Sequence, residues 1–308
     1  MASTQVNTYF AVGNREGLTD TVADLFADDA PFFRMARKIK ATATKHEWQT
    51  DALASAAKTG IVEGAAVSYA QAATRTRVSN YCHIRLRNWD VTFTQMAVLT
   101  AGIKDAVARE VMKALKAITT DYESIFLNTA TTAVGATATA RVAAGIQKRI
   151  ITNTALGSGG ASAAASSQLT EDVVNDVLQK VWTAGGDPRA LFCGGYQKRV
   201  ISKKFTAKTG FSFNMNASTR MAIENINKYE GSFGTLDIIP DRFHLTKRCT
   251  IVTPEQCKIA VLRDIQQFKG AATASSIKGW VEGEMTLEYG NEKAHGKISL
   301  LDDSGAIA

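Results

Sequence analysis

Between Asp28 and Leu53 the chain reads DDAPFFRMARKIKATATKHEWQTDAL, and this stretch limits the fold more than any other. Pro31 disfavours helical backbone at Ala30 and Asp29, so a helix entering from the N-terminal side should stop there. From Ala41 onward, Thr42, Thr44, His46, Trp48 and Thr50 share one side of an extended chain, and Lys45, Glu47 and Gln49 take the other. A period of two is the signature of a strand. Neither side is wholly apolar. Such a strand suits a monomer core poorly and suits an arm lying against a neighbouring subunit well.

The 308 residues are 45% hydrophobic and 21% charged, enough to build about two packed domains. No run approaches the ~20 apolar residues that span a bilayer. The start, MASTQVNTYF, lacks the basic and apolar stretches of a secretory signal. The expectation is a soluble chain with no membrane partner. Cys82, Cys193, Cys249 and Cys257 show no CxxC spacing, which argues against zinc, and their apolar neighbours fit buried thiols. A net charge of +7 and a pI of 9.2 attract nucleic acid without showing direct recognition. Arg34, Arg37, Lys38, Lys40 and Lys45 form one basic group, and Arg75, Arg77, Arg85 and Arg87 a second. They either pair with acidic patches on neighbouring copies, stay solvated, or face packaged nucleic acid.

Along the chain, residues 1–38 read as an irregular arm with one short helix, capped by Thr19 and striped by Val22, Leu25 and Phe26. Residues 39–94 read as a long two-stranded excursion. It goes out through HEWQTDAL, turns in the small-residue stretch that follows, and returns from Thr74 to Thr94 with Cys82, Ile84 and Leu86 on the apolar side. An isolated hairpin is marginal in water, so this one must rest on something. Ile103, Val107, Val111, Leu115, Ile118, Tyr122 and Ile125 recur at steps of three and four and predict a long helix. The stretch 155–167 is too poor in large side chains for a core and reads as a loop. Thr170 then caps a helix whose face carries Val173, Val174, Val177, Leu178, Val181 and Trp182, with Trp182 expected in the core. Further strands are expected at ALFCG, INKYEG, FGTLDIIP and TIVTPEQCKIAVL. A C-terminal hairpin should pair EMTLEY with HGKISLL across a turn near GNEKA. Strands scattered among helices without a βαβ repeat make the class α+β.

No catalytic constellation is legible. GNEKAHGKIS departs from a phosphate loop, because five residues separate its glycines and Ile298 stands where a metal-binding hydroxyl is required. FCGGYQKR could cradle an anion at a helix start, but a tight turn explains its glycines as well. The four histidines have no i, i+4 partner. Trp48 on the two-faced strand is the best aromatic anchor for an interface. No enzyme activity, metal or cofactor is expected.

DDAPFF (28–33), TKHEWQTDAL (44–53), EGA (63–65), RVAAGI (141–146), AGGDP (184–188), FGTLDIIPDRF (233–243) and EMTLEYGNEKAHGKI follow one another over most of the chain. In this order they resemble a family of tailed-bacteriophage major capsid proteins. The alanine- and serine-rich loop at 155–167 departs from that pattern. The resemblance implies the Hong Kong 97 capsid fold, with residues 1–38 as N-terminal arm and 39–94 as extended loop. It implies a peripheral domain over 95–149 and 266–308 with a spine helix at 101–128, and an axial domain over 150–265. It further implies pentamers and hexamers in an icosahedral shell around packaged double-stranded DNA, assembled in the bacterial host cytoplasm and found in the virion. Portal and decoration proteins are possible partners, and the early start of the arm favours a separate scaffolding protein. Contacts between copies are expected at Phe32, Phe33, Arg34, Lys38, Lys45, Glu47, Trp48, Glu63, Arg75, Arg77, Arg85 and Arg87. The alternatives are an encapsulin-like nanocompartment shell and an unrelated nucleic-acid-binding protein.

Overall fold

The computed structural model describes residues 29–53, 56, 58–66, 69, 75–98, 100, 102–157, 168–208, 226–271 and 275–303. The expected helix around residues 19–26 and most of the 155–167 segment lie outside them. Pro31 turns out to open a helix, α1 (Pro31–Met35), as well as to bar one before it. A proline at the first helical position has its φ preset and no N–H to leave unpaired. The chain continues extended as β1 (Arg37–Lys40), β2 (Lys45–Thr50), β3 (Thr76–Tyr81) and β4 (His83–Thr92). A single helical turn, α2 (Phe93–Ala97), leads to the spine helix α3 (Ala106–Asn128), which starts where the Asp105 carboxylate accepts the Ala108 N–H. Its 23 residues span about 35 Å at 1.5 Å each.

Next come α4 (Ile146–Arg149), β5 (Thr154–Leu156) and α5 (Glu171–Thr183), the last capped by Thr170 as its sequence predicts. The remaining elements are β6 (Ala190–Cys193), α6 (Gly195–Lys208), β7 (Lys228–Gly231), β8 (Gly234–Pro240) and β9 (Cys249–Val252). The chain ends on β10 (Lys258–Lys269), β11 (Ser276–Glu288) and β12 (Gly296–Ser299).

Two sheets and a ribbon result. One sheet has the order β1-β10-β11-β4, the other β5-β12-β9-β6-β8-β7, and among the described residues β2 pairs with β3 alone. The spine helix covers the four-stranded sheet. Its Ala114, Ile118, Tyr122 and Phe126 follow an i, i+4 row and bury against Val281, Met285 and Leu287 of β11. That row inclines across the helix surface, and Leu115, expected on the buried stripe, is left 39% exposed. The six-stranded sheet is buried on both faces at β6. Ala190 and Phe192 point into the spine-helix core, while Leu191 and Cys193 point into a second core under α5 and α6.

Five expectations are corrected. Among the described residues the pairing of the two-stranded excursion runs from Lys45↔Tyr81 to Thr50↔Thr76, while β1 and β4, expected within it, belong to the four-stranded sheet. On β4 the buried phase is set by Trp89 and Val91, so Arg85 and Arg87 turn toward the spine helix and Ile84 and Leu86 face outward. Gly279 makes room for this phase, since a Cβ there would collide with the Trp89 ring. The C-terminal hairpin does not exist: β11 pairs with β10 and β4, whereas β12 pairs with β5 and β9 in the other sheet. Pro254 splits TIVTPEQCKIAVL into β9 and β10, one in each sheet. Trp182, expected in the core, is 60% exposed with its ring against Phe233.

Candidate intersubunit surface

The β2–β3 ribbon has two unlike faces, and the described residues beyond its paired strands are exposed. Its inner face is fastened to the chain's own body. The Trp48 indole N–H donates to the Gly290 carbonyl at 2.8 Å, and its ring meets Tyr289 edge-on at 5.0 Å between centroids. His46 lies 2.7 Å from a Glu288 carboxylate oxygen, whose other oxygen takes the Lys258 ammonium at 2.9 Å. The hydrogen bond from His46 holds the Glu288 carboxyl below its ordinary range against the upward push of burial, and Lys258 adds to the effect.

The strongest fastening is Asn80, which has no solvent exposure. Its amide donates to the carbonyls of Ala144 at 3.0 Å and Leu287 at 2.9 Å. Its Oδ1 accepts the N–H of Ala144 at 2.9 Å and of Tyr81 at 3.0 Å. A lone asparagine in a threonine- and valine-bearing strand gave no sequence signal beyond its low strand propensity.

The outer face carries Lys45, Glu47 and Arg77. Glu47 lies between the two cations, 2.5 Å from Lys45 and 3.4 Å from Arg77. The Lys45 hydrogen bond lowers the Glu47 carboxyl and raises the Lys45 ammonium. Near the tip Arg75 meets Asp51 at 3.3 Å, with both side chains more than half exposed. Beyond that pair Leu53, Ile61, Val62, Glu63 and Tyr69 all stand in solvent, Leu53 completely. Large apolar groups on a ribbon that reaches away from the body have no core of their own.

The other expected contact residues fall into three groups. Phe32 and Phe33 leave the contact set, because both are core: Phe32 meets Phe192 edge-on at 5.5 Å, and Phe33 stacks on Tyr122 at 6.3 Å. Arg34 and Lys38 stay exposed, with the Lys38 ammonium 5.0 Å above the Phe33 ring. Arg85 and Arg87 converge on Asp121 of the spine helix, at 2.6 Å and 2.5 Å. Two guanidinium groups against one carboxylate leave a net positive site at the sheet–helix junction.

Among the described residues no cluster of histidine, cysteine and carboxylate side chains could hold a metal, and no helix is long and apolar enough to cross a membrane. The four cysteines are free and buried, and burial pushes the Cys82 thiol up to about 11 and the Cys193 thiol up to about 12.

A spine helix over one sheet, a second sheet under two helices and an outreaching ribbon define a shell-forming subunit of the Hong Kong 97 fold. The same fold appears in the capsid asymmetric unit of cyanophage A-1(L), with a TM-score of 0.74 at 11% identity, covering 94% of this chain and 97% of that one. It appears in the capsid of a native GTA particle, with a TM-score of 0.61 at 11% identity, over 96% and 97% of the two chains. The holo-SrpI encapsulin complex from Synechococcus elongatus is also similar, with a TM-score of 0.62 at 11% identity, over 94% of each chain. No curated protein sequence matches the chain. The model of the SU10 major capsid protein family matches residues 3–302, and the chain belongs to that family as a major capsid protein of the virion.

Proposed function

We propose that copies of this chain build the icosahedral head of a tailed bacteriophage around its double-stranded DNA, and that the β2–β3 ribbon carries a principal contact between copies. The exposed apolar tip, Leu53, Ile61, Val62 and Tyr69, is the observation that supports this reading. Burying such side chains releases about 1.5–3 kcal/mol each before ordering costs, and a second copy is the partner present at highest concentration in a shell. The ribbon serves as extended loop, and the segment before β1 as arm. Lys45, Glu47, Glu63, Arg75 and Arg77 contribute a polar rim, with Arg34, Lys38, Arg85 and Arg87 as further candidates.

The +7 charge supports non-specific contact with packaged DNA. The role is structural rather than enzymatic, and assembly takes place in the host cytoplasm. The likeness to an encapsulin shell supports a second reading, in which the shell holds a protein cargo. Nucleic acid in purified particles favours the head, and a co-purifying enzyme favours the compartment. Replacing Ile61 and Val62 together by Asp tests the ribbon: the reading expects a folded subunit that no longer forms shells by electron microscopy. Shells of normal yield from that variant would overturn it.

A further inference from the structure

Strand β4 and the spine helix hold two guanidinium groups over a single carboxylate. Trp89 and Val91 fix the phase of β4, so Arg85 and Arg87 both turn to the helix side, about 7 Å apart along the strand. Arg87 meets Asp121 twice, through Nε at 2.7 Å and Nη2 at 2.5 Å. Arg85 meets it through Nε alone, at 2.6 Å, so both of its Nη groups have no acceptor among the described residues. The Arg85 and Arg87 side chains are 37% and 42% exposed and that of Asp121 15%, so the cations reach solvent while their counter-charge is shielded.

The two residues after Asp121 pin the helix that carries it. The Tyr122 hydroxyl donates to the Gly283 carbonyl at 2.6 Å, and the Glu123 carboxyl accepts the N–H groups of Phe32 and Phe33 at 2.7 Å and 2.6 Å. The guanidinium pair is therefore presented in a set geometry, which lowers the ordering cost of binding. At the other face of the same sheet the paired charges balance, three of each sign. There Arg263 meets Glu282 and Glu284, Arg141 also meets Glu284, and Lys278 meets Asp90 at 3.7 Å.

We propose that Arg85 and Arg87 bind the phosphodiester backbone of packaged DNA, with Asp121 holding the two guanidinium groups in place. The inference rests on the phage-head reading above and names the surface that meets the genome. A guanidinium presents its N–H groups as a planar fork that fits two phosphate oxygens, where a lysine offers only a point charge. One carboxylate cannot neutralise two cations, so an arriving phosphate completes the charge balance without displacing Asp121. Duplex DNA carries one negative charge per ~1.7 Å of its axis, so two cations about 7 Å apart can each find a phosphate. Such contacts go to the backbone and carry no sequence preference, as a shell that packs any stretch of its genome requires. Arg85 and Arg87 thereby leave the candidates for contact between copies.

Binding of the full chain to a short DNA duplex of random sequence, followed by fluorescence anisotropy from about 50 to 200 mM salt, tests it. Arg85→Gln combined with Arg87→Gln should weaken binding at least ~tenfold at the low-salt end and lower the salt slope by about two. Lys228→Gln combined with Lys247→Gln removes the same charge from two lysines paired with carboxylates elsewhere, and should change the affinity less than about threefold. Asp121→Asn frees both guanidinium groups and should tighten binding while it lowers the thermal midpoint, a split that a purely structural ion pair does not produce. Equal losses in the two double variants, or weaker binding by folded Asp121→Asn, would overturn the proposal. Polyglutamate that displaces the duplex as well as unlabelled DNA does would assign the site to an acidic protein segment and overturn it too. Shells found to carry DNA alongside any of these results would leave the head reading standing, whereas shells with a protein cargo and no nucleic acid would overturn both.

Discussion

Replacing Asn80 by Ala removes the clamp at the base of the ribbon and leaves its partners without a substitute. Asn80, Ala144 and Leu287 have no solvent exposure, so water cannot take over the lost bonds. The orphaned Ala144 N–H costs roughly 2 kcal/mol, and the two carbonyls, each with a second lone pair to use, roughly 0.5–1 kcal/mol apiece. The sum, about 3 kcal/mol, is a large share of the 5–15 kcal/mol that holds a typical domain together. The exposed Lys45–Glu47–Arg77 cluster, by contrast, is screened and contributes little to subunit stability. In urea unfolding Asn80→Ala should lower the midpoint at unchanged slope. Exchange at the β2 and β3 amides should accelerate more than exchange in β10 and β11. A loss below ~1 kcal/mol, or unchanged exchange in the ribbon, would show that Trp48 and His46 alone hold it and that the hydrogen-bond reasoning fails.

Asp121→Asn should cost about 1 kcal/mol, seen as a lower thermal midpoint, since Arg85 and Arg87 lose their shared counter-charge at a partly buried site. Gly279→Ala should cost about 1–3 kcal/mol in urea unfolding, because the added methyl meets the rigid Trp89 ring and the Phe268 carbonyl. Glu288 and Glu123, two of the perturbed glutamates, give opposite pH dependences. Glu288, with its native value below 4.5, contributes stability above pH 4.5 that is lost as the pH falls. Glu123 contributes fully below pH 4.5, and that contribution is lost as the pH rises through about 7. Urea midpoints from pH 3 to 8 should therefore decline at both ends, and His46→Ala should shrink the acid-side decline alone.

The spine helix and α5 were legible because their apolar positions recur over several turns, and α5 also carries the Thr170 cap at its start. The strand from Lys45 to Thr50 was legible through its alternation, and its inner and outer faces fall as that alternation predicts. On β4 the same rule failed. Alternation fixes two faces but does not say which is inward, and Trp89 and Val91 outweigh Ile84 and Leu86 because the spine helix supplies Asp121 to the arginines between them. Sheet membership was hidden as well. β11 and β12 are adjacent in sequence, yet long-range pairing with β4, β9 and β10 puts them in different sheets. Asn80 and Glu123 were invisible for a related reason, since each acts through backbone groups more than 60 residues away. The family, in contrast, was legible in the order of short segments, a signal that needs no knowledge of pairing.

The ribbon's role as the reaching contact is tested most directly by cryo-electron microscopy of the assembled shell at side-chain resolution. The account predicts Leu53, Ile61, Val62 and Tyr69 packed against a second copy, with Trp48 still seated on Tyr289 of its own chain. A shell in which those tip residues remain in solvent while copies join elsewhere would contradict it.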